Sequence, residues 1–188
     1  MQLEGERICL RTFREADAAA FVSYRSIPEI ARFQGWECPY PLERALSYIY
    51  ELEHDPPGVA GDWYQLAIEE RASGTLLGDV GFCVRMEDPT QAEIGFTLDR
   101  PYHGRGYAQE AVTLLLDFLF LEQGLHRVTA NCLAGNLPSA HLLERIGMRR
   151  EAHLVASAWF EGGYSDEYLY AILASEWKGM RPRQSSAA

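Results

Sequence analysis

A single α/β domain is predicted, with a mixed, mostly antiparallel sheet in one layer and helices on both faces. Three observations predict it. The chain has 188 residues, 47% of them hydrophobic, which suits one sizeable core. Period-two and helical-period segments follow in the order strand, helices, three strands, helix, strand, helix, two strands. No segment repeats another.

The elements read as follows. Residues 7–12 alternate Ile8, Leu10 and Thr12 with Arg7, Cys9 and Arg11, a strand pattern. Asp17 can cap a helix running to about Arg25, with Phe21 and Val22 on its apolar face. A short helical turn is expected at 28–33. Pro41 suits the first turn of a further helix, where Leu42, Ala45, Leu46 and Ile49 recur at helical spacing. Asp55-Pro56-Pro57-Gly58 reads as a loop. Residues 63–69 and 76–84 read as strands joined through Ala72-Ser73-Gly74, and residues 92–98 as a third. Residues 106–123 form a long helix that Gly124 stops. Residues 127–132 are a strand, and Asn136 caps a helix ending at Gly147. Residues 152–160 and 164–173 are strands joined by Glu161-Gly162-Gly163. The domain is expected over residues 1–177, with 178–188 as a disordered tail.

Charge and composition exclude several classes. The net charge of −10 argues against a nucleic-acid surface and is compatible with a cationic substrate. No apolar run reaches the roughly 20 residues of a membrane span. The longest, residues 112–121, is broken by Asp117. Met1, Glu4, Glu6 and Arg7 do not resemble a secretion signal, so a cytoplasmic protein without a membrane partner is expected. Cys9, Cys38, Cys83 and Cys132 lack metal-ligand spacing, which points to free thiols and no metal.

Residues 101–108, Pro-Tyr-His-Gly-Arg-Gly-Tyr-Ala, stand between a strand and a helix and can hold an anion. Glycines allow close approach and positive φ. The helix start offers unpaired N–H groups and the positive end of its dipole. Arg105 adds a charged donor, and a pyrophosphate is a suitable guest. A dinucleotide-binding turn needs three spaced glycines and an acidic residue closing a second parallel strand; only Gly104 and Gly106 fit, after a strand that belongs to a meander.

These motifs together resemble the GCN5-related N-acetyltransferase (GNAT) superfamily, and within it the branch of ribosomal-protein N-terminal acetyltransferases. The resemblance rests on residues 3–11 (Leu-Glu-Gly-Glu-Arg-Ile-Cys-Leu-Arg), 92–96 (Ala-Glu-Ile-Gly-Phe) and 103–108 (His-Gly-Arg-Gly-Tyr-Ala). It continues through Asn136-Leu137-Pro138-Ser139, Ile146-Gly147-Met148, Gly163-Tyr164-Ser165-Asp166 and Ser175-Glu176-Trp177. His103 stands where such families usually carry Gln or Arg, at a position that contributes mainly through its backbone.

The resemblance implies acetyl-CoA as donor co-substrate, with its pyrophosphate on the backbone of His103, Gly104, Arg105, Gly106, Tyr107 and Ala108. The pantetheine arm would pair with Phe96, Thr97 and Leu98 as an added strand, in a gap splayed from residues 127–132. Asn136 would cap its helix and reach the pantetheine amide. Relatives are often monomers or dimers, so a homodimer is one expectation.

Acetyl transfer to an amine needs a base, because most amines are cationic at neutral pH. Glu93 is the candidate; its ordinary pKa of about 4.3 calls for burial or a water relay. The tetrahedral oxyanion needs fixed donors, expected from backbone N–H groups near Phe96 and Thr97 at a bulge in that strand. Many superfamily members protonate the thiolate with a Tyr. The corresponding residue here is Leu143, so Ser139 is the alternative donor. A nucleophilic Cys83 or Cys132 would need activation, and neither has a His at recognisable spacing. Direct attack in a ternary complex is therefore expected.

Phe33, Trp36 and Trp63 are expected to wall the acceptor side, against the alternative of core packing. His54, His126, His141 and His153 read as structural or solvated, and Tyr164, Tyr168 and Tyr170 as sheet packing. The acceptor amine is a protein N-terminus or a small molecule such as an aminoglycoside or polyamine. A non-catalytic acyl-CoA sensor is the rival from outside enzymology.

Overall fold

Sheet pairing begins earlier than the alternation suggests. In the computed structural model, which describes residues 1–180, Gln2–Glu4 (β1) folds back antiparallel on Ile8–Arg11 (β2), with Leu3 opposite Leu10. Three helices follow: Ala18–Arg25 (α1), Pro28–Ala31 (α2) and Leu42–His54 (α3). Trp63–Glu70 (β3), Leu76–Val84 (β4) and Gln91–Leu98 (β5) form the meander. Then come Tyr107–Asp117 (α4), Arg127–Leu133 (β6), Leu137–Arg145 (α5), Arg149–Phe160 (β7), Gly163–Leu173 (β8) and Ala174–Met180 (α6).

The eight strands form one open sheet in the order β1-β2-β3-β4-β5-β6-β8-β7. Every pairing is antiparallel except β5 with β6. Helices lie on both faces. Asp79 of β4 meets Tyr24 and Arg25 of α1 on one face, and Phe82, of opposite parity, meets Phe118 beyond α4 on the other. Leu66, Ile68, Leu77, Val112 and Leu115 are fully buried in the core so formed.

Several local expectations need correction. Asp17 does not cap α1 with its side chain; its carboxylate takes two bonds from Arg11, at 2.7 and 2.9 Å, and one from the Arg14 N–H at 2.8 Å. An ion pair this close outcompetes a cap. Pro41 precedes α3 rather than entering it, and Leu42 and Leu46 face solvent while Ala45 and Ile49 are buried. The long helix begins one residue later than expected, and its last turn, Phe118–Glu122, widens to π geometry that buries Phe118, Leu119 and Phe120. Gly163 opens β8, so Glu161 and Gly162 alone carry the positive φ of the turn, at 48° and 82°. Tyr164 is exposed beside Trp159, whereas Tyr168 and Tyr170 pack in the sheet. Residues 178–180, expected in the tail, belong to α6; the rest of that expected tail, 181–188, lies outside the described residues. Among the described residues no helix is long and apolar enough to cross a membrane.

Candidate active site

The parallel pair creates the site. β5 and β6 pair only from Gln91 opposite Arg127 to Glu93 opposite Thr129, then part. The edge of β5 from Ile94 to Leu98 therefore faces a gap. Glu93 stands at its apex and Leu98 at its mouth, about 17 Å away at ordinary strand rise. The bulge expected in β5 is absent: its ladder with β4 runs without a shift from Gly78 opposite Leu98 to Val84 opposite Ala92. The shift lies instead on β3, between Ile68 and Glu69. The gap thus arises because β6 turns away, following its full-length ladder with β8.

At the mouth the chain makes the glycine turn. Gly104 and Gly106 hold φ of 71° and 83°, conformations that a β-carbon disfavours. The first helical bond of the turn runs from Glu110 N–H to Gly106 O at 3.1 Å. The N–H groups of residues 104–109 have no acceptor among the described residues. Unpaired donors at the start of an eleven-residue helix form an anion cradle. His103 turns its ring inward, with Nε2 donating to Leu98 O at 2.7 Å, and so ties the turn to the end of β5. That nitrogen is committed to the carbonyl rather than to a phosphate.

Residues that the motif did not single out brace this turn. Arg7 bonds Glu110 Oε2 through Nε at 2.9 Å and Arg105 O through Nη1 at 2.9 Å. Its guanidinium lies 4.7 Å from the centre of the Tyr107 ring, and Tyr107 OH donates to Glu70 Oε1 at 2.5 Å. Hydrogen bonds from Ser73 and Tyr107 hold the Glu70 carboxyl below its usual value. No sequence spacing links Arg7 with Glu110, 103 residues away.

At the apex, Glu93 is half-buried and forms no ion pair among the described residues. Burial pushes its carboxyl above the usual 4.5; Arg85 opposes the shift and Glu167 adds to it. Arg85 bonds Thr129 Oγ1 at 3.4 Å instead of pairing with Glu93. A carboxylate desolvated in this way is a stronger base than one in water. Cys83, opposite Glu93, has its thiol raised by burial and by the fields of Glu93 and Asp62; Cys132 is pushed up to about 11. Both favour the thiol over the nucleophilic thiolate.

Asn136 and Ser139 follow the C-terminal end of β6, and the glycine turn follows that of β5, so both lie toward the open end of the parallel pair. Asn136 Oδ1 accepts from Ser139 N–H at 3.4 Å, the expected cap, and Ser139 Oγ has no partner among the described residues. Leu143 is buried. Thr97 is also buried, with Oγ1 accepting from Gln34 Nε2 at 3.3 Å. Phe96 is partly buried against the core.

The three candidate acceptor aromatics separate. Trp63 shares a cross-strand row with Cys83 and Glu93, and its ring covers Gly95, where an added β-carbon would lie 3.5 Å from it. Phe33 stacks on Phe160 at the tip of the β7–β8 hairpin, with centroids 5.9 Å apart, beside a 3.0 Å pair of Arg32 with Glu161. Trp36 instead covers the buried Arg25, 4.1 Å from its ring, and donates to Arg25 O at 3.0 Å. Arg25 belongs to a buried network with Asp79 and Tyr24 that the sequence did not suggest.

Comparison with known proteins gives one picture. The family described as "Acetyltransferase (GNAT) domain" matches residues 7–149. The chain is 29% identical over 177 residues to "Uncharacterized N-acetyltransferase YnaD" of Bacillus subtilis (strain 168), covering 94% of this chain and 99% of that protein. A GNAT-family acetyltransferase structure from Bacillus anthracis superposes with a TM-score of 0.83 at 28% identity, covering 94% of this chain and 100% of that one. The ribosomal-protein-S5-alanine acetyltransferase of Vibrio fischeri shares the fold, with a TM-score of 0.76 at 20% identity over 97% of this chain and 100% of that one.

Proposed function

Since the chain belongs to the GNAT acetyltransferase family and is an N-acetyltransferase, we propose that it moves the acetyl group of acetyl-CoA to a cationic primary amine by direct attack in a ternary complex. The observation that carries this reading is the parting of β5 from β6 at Glu93, with a donor-rich turn at the open end. An anion and an extended amide-bearing arm fit these features: the turn offers free N–H groups, and the β5 edge offers unpaired backbone. When bound, acetyl-CoA supplies an activated acyl carbon and a thiolate leaving group.

The residues divide the remaining work. The backbone of His103, Gly104, Arg105, Gly106, Tyr107 and Ala108 holds the pyrophosphate, with Arg7 and Glu110 keeping the turn in shape. Phe96, Thr97 and Leu98 hold the arm, and N–H groups near Phe96 and Thr97 receive the developing oxyanion. Glu93 takes the proton from the ammonium. The freed nitrogen pair then attacks the carbonyl carbon, the C–S bond breaks, and the second proton lost from the attacking nitrogen passes to the departing sulfur, which Ser139 holds by a hydrogen bond. Asn136 keeps Ser139 in the first turn of α5.

Thermal unfolding and thiol release test this reading together. Acetyl-CoA at about 100 times its dissociation constant is expected to add roughly 2.7 kcal/mol of stability. The Gly106→Ala variant is expected to lose most of that gain, because its φ of 83° strains a β-carbon that also lies 3.3 Å from Arg7 Nη2. No stabilisation by acetyl-CoA or coenzyme A refutes the cofactor assignment. Stabilisation without thiol release on any amine favours the acyl-CoA sensor.

A further inference from the structure

Two side-chain polar atoms among the described residues are enclosed and lack a hydrogen bond: Arg25 Nε and Gln65 Oε1. The first has compensation. Arg25 is paired with Asp79, and the rings of Phe21, Trp36 and Tyr40 face its guanidinium. The second has none, and neither end of the Gln65 amide bonds a described residue. An enclosed acceptor without a donor costs stability, and native chains retain few of them. A methionine would fill similar space without that cost.

The position of the amide ties it to the acyl-transfer side. Gln65 stands opposite Gly81, and Gly81 opposite Gly95. The next row on the same sheet face is Trp63, Cys83 and Glu93. Gln65 reaches from β3 over β4, where a β-carbon added at Gly81 would overlap its Oε1. Gly81 is not among the glycines with positive φ, so its missing side chain makes room for this amide rather than easing the backbone. The Trp63 ring lies over Gly95 in a similar way, 3.5 Å from where a β-carbon would stand. Two glycines in one row thus let a carboxamide and an indole lie low on the sheet next to the row of Glu93.

We propose that Gln65 is a specificity-determining residue of the acceptor side: its carboxamide oxygen accepts a hydrogen bond from a neutral N–H or O–H group that the acceptor carries near its amine. This rests on Glu93 being the acyl-transfer point. Gly81, under the amide, is the diagonal cross-strand neighbour of Glu93. Such neighbours stand roughly 7–8 Å apart, which places the donor a few bonds from the attacking nitrogen. The terminal torsion of a glutamine is broad, so a turn of the amide presents the oxygen as the acceptor enters. An acceptor with the donor gains a hydrogen bond, whereas one without it leaves the oxygen unpaired.

The test measures thiol release with alaninamide and with alanine N,N-dimethylamide, which keeps the amine and the carbonyl but lacks the neutral N–H donor. The wild type is expected to prefer alaninamide about tenfold in kcat/KM, the worth of one hydrogen bond, and mainly through KM. The Gln65→Met variant is expected to use the two amines equally. It is also expected to melt no lower than the wild type, because it removes an unpaired oxygen. A merely structural amide would behave the other way: its loss would lower Tm and leave the preference in place. Equal use of the two amines by the wild type, a preference that survives in the variant, or a variant that melts well below the wild type overturns the role of Gln65. Release with other primary amines but not with alaninamide overturns it too, and each of these results leaves the acetyltransferase reading intact. Binding of acetyl-CoA with no amine acetylated overturns both.

Discussion

Glu93→Gln is expected to lower kcat by about 10²- to 10⁴-fold, the usual contribution of a positioned general base, while the affinity for acetyl-CoA is retained. The amide keeps the size of the side chain but cannot take a proton from the ammonium. The pH profile identifies the role. Burial holds the Glu93 carboxyl above 4.5, so the proton-accepting form is lost at a higher pH than for a solvated glutamate. In the wild type the acid limb of kcat/KM is displaced upward accordingly; in the glutamine variant that limb disappears. Arg85 opposes the shift, so Arg85→Gln is expected to move the limb further up.

Stability gives a second readout with its own sign. A carboxyl whose pKa is raised by folding binds its proton more tightly in the native state. It therefore costs stability as pH rises from the ordinary 4.5 through the raised value. Removing it should leave the variant at least as stable as the wild type at neutral pH, whereas loss of a structural ion pair would weaken it. Unchanged kcat across the pH range removes Glu93 from the chemistry.

The largest expected loss of stability lies in the polar network buried between α1 and β4. Asp79→Ala is expected to cost about 3–5 kcal/mol in denaturant unfolding, because it leaves a buried cation without its partner. Tyr24, Arg25 and Asp79 are 1%, 5% and 2% exposed. Arg25 Nη2 lies 3.2 Å from one Asp79 oxygen and 3.3 Å from the other, and Tyr24 OH donates to Asp79 at 2.5 Å. Phe21 and Trp36 cover the guanidinium at 4.0 and 4.1 Å. Desolvation works against the Arg25 charge, but Asp79, together with the fields of Tyr24 and Tyr40, outweighs it and raises the pKa.

A combined replacement separates pairing from packing. Tyr24→Phe, Arg25→Met and Asp79→Leu together remove all three polar groups at similar volume, and most of the lost stability should return. An Asp79→Ala variant within about 1 kcal/mol of the wild type, the range of a solvent-facing ion pair, would show that Arg25 finds another partner.

Features set by near neighbours are legible in the sequence. Gly104 and Gly106 announced positive φ before a helix, and Asn136 announced a cap three residues before Ser139. Glu161-Gly162 announced a hairpin turn between two long strands. Each signal is complete within a few residues, because the conformation it reports is set by sterics and hydrogen bonds among neighbours. Local reading failed where distant groups competed for the same atoms. Asp17 looked like a cap until Arg11 and the Arg14 N–H took its oxygens. Trp36 stacks on Arg25, a charge whose burial depends on Asp79 of another element, and no neighbouring residue announces that contact.

The stretch from Glu93 to Ala108 shows the same division. Its residues alone determined a strand, a glycine turn and a helix start able to bind an anion, and placed a carboxylate at the head of that strand. Only the tertiary structure decided that β6 pairs as far as Glu93 and then follows β8 away, which leaves Glu93 half-buried at the apex of a gap. It alone brought Arg7 to Arg105 and Glu110. Backbone conformation answers to adjacent residues, but strand divergence and charge burial depend on contacts between segments far apart in the chain, which no short motif encodes.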